Sequence, residues 1–93
     1  MSVYVDCYRV RYRGMVMSHM MADTETELDA MADAIGVARR WKQTKPGRPP
    51  HYDVCESKRR AAMRLGAVEV SPKGLVKKML SNWLDGSTRR DDR

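Results

Sequence analysis

Val3, Val5, Cys7 and Val10 alternate loosely with Tyr4, Asp6, Tyr8 and Arg9, and β-branched and aromatic residues dominate the stretch. That pattern predicts a strand. Arg13-Gly14 supplies a turn, after which Met15 to Met21 forms a second, mostly apolar extended run carrying Ser18 and His19. The two runs fit a hairpin. The period then changes. Thr24 and Glu27 have capping-box spacing, in which hydroxyl and carboxylate satisfy backbone donors that a helix start leaves open. Leu28, Met31, Ala32 and Ile35 follow at i, i+3, i+4 and i+7, with Asp29 and Asp33 off that stripe. Gly36 can close the helix in a left-handed conformation.

Residues 37–50 have neither period. Arg39, Arg40, Trp41, Lys42 and Gln43 lead into Thr44-Lys45-Pro46-Gly47-Arg48-Pro49-Pro50, where proline forbids a helix and glycine permits reversal. A basic loop is expected. An extended tetrapeptide, His51-Tyr52-Asp53-Val54, comes next, and Asp53 with Glu56 offers a second cap for a helix through about Leu65. On that helix Ala61, Ala62 and Leu65 should face inward and Arg59, Arg60 and Arg64 outward, with Gly66 stopping it. Ala67 to Val70 resumes as a short strand, and Ser71-Pro72 caps a third helix whose apolar stripe is Leu75, Val76, Met79, Leu80, Trp83 and Leu84. Ser87 to Arg93 holds no apolar residue. The order strand, strand, helix, loop with short strand, helix, strand, helix predicts an α/β fold: a small single-domain sandwich of a short mixed sheet with about three helices over residues 1–86, and a solvated tail over 87–93.

Length and composition narrow the role. A chain of 93 residues has room for one small core and no separate regulatory lobe. Its 32% charged residues, the lack of a long apolar run and of a secretory leader pattern predict a soluble, cytoplasmic protein without a membrane partner. Cys7 and Cys55 are too few for a disulfide framework and form no zinc-ribbon pair, so reduced thiols are expected. With 8 Met and no Phe, thioethers should fill core gaps. The net charge of +6 is unevenly spread: residues 1–36 hold 3 basic and 6 acidic side chains, and residues 37–93 hold 15 and 6. The second half therefore suits an anionic partner.

Three chemistries compete for the polar residues. In the first, strand-end loops converge on one rim beside the amino end of the second helix, whose free N–H groups favour an anion. Arg39 and Arg40 would neutralise phosphate, with Lys45 and Arg48 in the same loop; Trp41 and Tyr52 would stack a base; Gln43, His51 and Asp53 would orient the ligand. The second is nucleic-acid binding through Arg59, Arg60, Arg64, Lys73, Lys77 and Lys78. The third is a divalent metal held by Asp6, His19, Asp23, His51 and Asp53, with phosphoesterase or nuclease activity, although no compact ligand motif marks such a site. Covalent catalysis has little support: Ser18 and His19 are neighbours in a strand and point to opposite faces, and nothing in the pattern pairs Cys55 with a base.

Val3-Tyr4-Val5-Asp6, Ser18-His19-Met20 with Ala22-Asp23-Thr24 and Glu27-Leu28, Gly36 with Arg40-Trp41-x-Gln43, and His51-Tyr52-Asp53-Val54 with Ser57-Lys58-Arg59 and Leu65-Gly66-Ala67 resemble the small bacterial and phage family called domain of unknown function 4031, over residues 3 to 70. The resemblance implies that Asp6, His19, Asp23, Trp41, Gln43, His51, Tyr52 and Asp53 are its signature. It differs at Cys7, where the family pattern often has a second acid. The occurrence of similar proteins in phage genomes implies, by analogy, capture of a nucleotide signal. The leading expectation is thus noncatalytic binding of a nucleotide or other phosphorylated small molecule with no required cofactor, the nucleic-acid and metal-hydrolase readings being its rivals. The apolar last helix offers a surface for a homodimer.

Overall fold

The computed structural model describes residues 2–7, 10–12, 14–46, 49–75 and 77. Its elements are β1 (Val3–Asp6), β2 (Val10–Tyr12), β3 (Met15–Ala22), α1 (Glu25–Ile35), a 3-10 turn (Arg39–Trp41), β4 (Tyr52–Cys55), α2 (Glu56–Arg64) and β5 (Val68–Val70). Pro72–Leu75 and Lys77 are helical as well, as the Ser71-Pro72 start predicts, and Ser71 Oγ accepts from the Gly74 amide at 3.0 Å. The rest of that expected helix and the tail at 87–93 lie outside the described residues.

β3 is the hub of the mixed sheet. Met20 pairs with Val5 on one side and Tyr52 on the other, and Met17 with Val10 and Cys55. β1 and β2 therefore lie end to end along one edge of β3 while β4 takes the opposite edge. β5 completes the sheet by pairing parallel to β1, with Asp6 against Val70. The single strand expected over Val3 to Val10 is thus two strands, and the register against β3 slips by two residues between them. The hairpin of β2 and β3 forms as expected, with Gly14 at φ 78°.

Period-2 alternation divides the sheet into two faces. Val3, Val5, Met20, Ala22, Tyr52 and Val54 point to one side and form the main core with Leu28, Ala32 and Ile35 of α1 and Ala62 of α2. Tyr4 and Met21 point the other way and meet Leu75 and Val70 in a smaller cluster. β1 is covered on both faces, so all four of its residues are buried and its alternation is only loose in the sequence.

The first helix follows its local code. The Thr24 hydroxyl accepts from the Glu27 amide at 3.2 Å, and Gly36 at φ 79° closes the other end while the Val37 amide donates to the Ala32 carbonyl at 2.8 Å. The second helix departs from expectation. Its N-cap is Cys55, without a side-chain cap bond, and Asp53 lies within β4. Strand and helix join with no loop between them, so Asp53 belongs to the ladder. Leu65, expected inside, is 58% exposed. Arg59, expected on the solvated basic face, is 5% exposed. It donates from Nε to the Asp6 carbonyl at 3.0 Å and pairs with Glu56 and Glu69, tying α2 to the ends of β1 and β5.

Candidate metal centre

Register brings three ionisable side chains into one row. His19 is the direct partner of Asp53 across β3 and β4. On the other side of β3, Asp6 ends β1 where the ladder breaks. Its carboxylate takes over from the missing backbone acceptor: Oδ1 accepts from the His19 amide at 2.9 Å and Oδ2 meets His19 Nδ1 at 2.7 Å. Asp6 is 1% exposed. His51 lies two residues before Asp53, so both occupy the face turned away from α1 and α2.

The result is a cluster of three donors. His19 Nε2 and His51 Nε2 each lie 3.8 Å from Asp53 Oδ1, and the imidazole rings meet edge to face with centroids 5.6 Å apart. One ligand atom from each residue lies within 4.8 Å of the other two, and among the described residues this is the group of three so arranged. Asp53 Oδ1 is buried with no hydrogen-bond partner among the described residues. Leaving an ionised oxygen unpaired costs about 1–3 kcal/mol or more, which a cation between it and the two imidazoles would offset. Ligands about 2.0–2.2 Å from one ion sit about 3.0–3.5 Å apart, so the observed spacing closes with small side-chain rotations.

The outer groups are held as a metal site requires. Asp6 orients His19 through Nδ1, and Gln43 Nε2 donates to Asp53 Oδ2 at 2.8 Å. Burial lowers the pKa of His51 against the pull of the Asp53 charge, and the His19 and Lys45 charges lower it further. The neutral imidazole that an ion needs is therefore favoured at neutral pH.

The remaining expected ligand residues disperse. The Tyr52 ring is fully buried and its hydroxyl donates to Asp29 Oδ1 at 2.7 Å, so that burial first and then this bond raise its pKa. It has no free face to stack a base. Arg39 donates from Nε and Nη2 to Asp33, at 3.2 and 2.7 Å. Gln43 Nε2 is bonded to Asp53 Oδ2, so the amide is engaged within the protein, and Asp53 Oδ1 is the oxygen near the imidazoles. Asp23 lies apart from the cluster, accepting from the Ser2 amide at 2.8 Å and the Tyr4 hydroxyl at 3.3 Å. Arg40 and Trp41 remain on the surface, Trp41 60% exposed with the guanidinium 5.2 Å from its ring centroid. Arg48 and Lys78 lie outside the described residues. Arg60, Arg64, Lys73 and Lys77 are exposed.

The gathering place is therefore the face of β3 and β4 turned away from α1 and α2, not a strand-end rim. The alternation of His51-Tyr52-Asp53 already holds the clue. An extended backbone must put His51 and Asp53 on one side and Tyr52 on the other. The supporting roles of Asp6 and Gln43 have no such local signal, because they depend on the ladder break after β1 and on the bridge between Gln43 and His51, whose amides and carbonyls exchange bonds of 2.8 and 3.1 Å.

Among the described residues no helix is long and apolar enough to cross a membrane. Residues 3–82 match the family model described as Protein of unknown function (DUF4031). No curated protein and no solved structure matches the chain.

Proposed function

Since the chain belongs to the DUF4031 family, whose description names no reaction, we propose from its own geometry that it is a metal-dependent phosphoesterase, with one divalent ion held by His19, His51 and Asp53. The observation that carries this reading is the buried Asp53 Oδ1, which has no hydrogen-bond partner among the described residues and lies 3.8 Å from each imidazole Nε2. Two imidazoles and one carboxylate suit zinc, manganese or iron, and three protein ligands leave coordination positions open for water and substrate. The ion would supply an acidified water and polarise a phosphoryl oxygen. In the reaction a bond forms between the water oxygen and phosphorus, the ester P–O bond breaks, and the departing alcohol takes up a proton.

An anionic substrate is favoured by Lys45 and Arg40, both exposed in the segment that leads into His51. A purely noncatalytic nucleotide site has less support, because Arg39 and Gln43 are engaged within the protein and Tyr52 is buried. Elemental analysis of the full chain after equilibration with Zn²⁺ and Mn²⁺ is expected to give one ion per chain, falling to background in His51→Ala and Asp53→Asn. Hydrolysis of a generic aryl phosphodiester should follow the ion. No stoichiometric ion in the intact chain would end this reading.

A further inference from the structure

The segment just before the ligand strand is fastened at Lys42 and Gln43 and presents an aromatic surface directly ahead of them. Lys42 Nζ reaches Glu25 at 2.5 Å and Asp29 at 2.9 Å on α1, while Gln43 joins the ladder at His51 and holds Asp53. Trp41 precedes these two anchors directly. Its Cα lies at most about 7 Å from that of Gln43, because two residues of extended chain reach no further. An indole left 60% exposed in so small a protein carries an apolar cost that the chain has not used for its core. Arg40 lies 5.2 Å from the ring centroid, an arrangement that reinforces a stacking surface and adds a cation beside it.

We infer that Arg40 and Trp41 form a nucleobase platform, so that the phosphoester cleaved at the ion is carried by a nucleotide or by the end of a single strand of nucleic acid. This rests on the proposed ion site, and it adds a recognition element that the ion site does not require. A base stacks on the indole because every base offers a π face. Its phosphate then extends along the anchored segment past Gln43, towards Lys45 and the two imidazoles. Lys45, exposed two residues after Gln43, supplies positive charge on that path.

Isothermal titration of the Zn²⁺-loaded full chain with adenosine 5′-monophosphate, ribose 5-phosphate and a six-base oligodeoxynucleotide separates the contributions. Adenosine 5′-monophosphate is expected to bind about tenfold or more tighter than ribose 5-phosphate, the gain of one stacked base. Trp41→Leu should erase that preference while leaving zinc stoichiometry and ribose 5-phosphate affinity unchanged. Tighter binding of the oligonucleotide than of the mononucleotide would identify a strand end as the source, and the reverse a free nucleotide. Equal affinity for the two monophosphates, or a preference that survives Trp41→Leu, would overturn the platform. If the intact chain takes up no stoichiometric zinc and the preference is still present, the ion site is overturned and the platform stands.

Discussion

Asp6 shows how one side chain serves fold and site together. It fills the ladder position left open where β1 stops, and the same carboxylate aligns His19 through Nδ1 at 2.7 Å. A carboxylate behind a ligating imidazole fixes its tautomer and raises its basicity. Asp6→Asn keeps an acceptor for the His19 amide and loses the charge behind the ring. It is expected to weaken zinc binding about 10–100-fold, as measured by competition with a chromogenic chelator. Thermal stability without metal should move much less, and equal losses in both would mean that Asp6 is structural only.

At the scale of elements, Arg59 joins three pieces of chain. From α2 it reaches the Asp6 carbonyl and Glu69 in β5, as well as Glu56 on its own helix. An inward arginine on a helix otherwise rich in surface cations survives because its guanidinium is bonded on several sides. Glu69 is half exposed, which limits the Coulombic part. Arg59→Ala is therefore expected to cost about 2–4 kcal/mol in urea unfolding, mostly from the lost packing and the buried Asp6 carbonyl it leaves without this donor. Arg60→Ala, at an exposed position one residue on, should stay within about 0.5 kcal/mol of the parent. Comparable losses in the two variants would contradict the anchoring role.

For the whole molecule, an ion would clip β3 to β4, since its donors come from His19 on one strand and from Asp53 and the adjoining His51 on the other. Binding to the folded state at about 100 times Kd stabilises it by about 2.7 kcal/mol. In a domain of this size that raises Tm by about 10 °C or more, reversibly with a chelator. Acid should act on the metal-free protein too. Burial holds His51 below its ordinary value of 6.5, so the stability tied to its neutral form is fully present above that value and is lost as pH falls through the lower folded value. Thermal melts from pH 8 to pH 5 should show this decline, and protons competing for the imidazoles should diminish the gain from zinc over the same interval. A Tm indifferent to both zinc and chelator would count against the clip.

Local periodicity and capping chemistry were enough to determine α1, the β2–β3 hairpin, β5 and the α/β class, because hydroxyl, glycine and apolar spacing act within a few residues of one another. The residue types of the site were legible as well: His19, His51 and Asp53 stand out in the chain as polar groups in extended segments. Their meeting was decided by tertiary structure. Joining residue 19 to residue 53 depends on which edge of β3 receives β4 and in what register, and that choice is set by burial of Tyr52, Val54 and Met20 against the helices. The same packing turned Tyr52 and Arg59 inward, against their sequence-based roles as a stacking ring and a surface cation. A sequence states which face each residue occupies within its element, whereas the surroundings of that face follow from the long-range packing that minimises exposed apolar surface and unpaired polar groups.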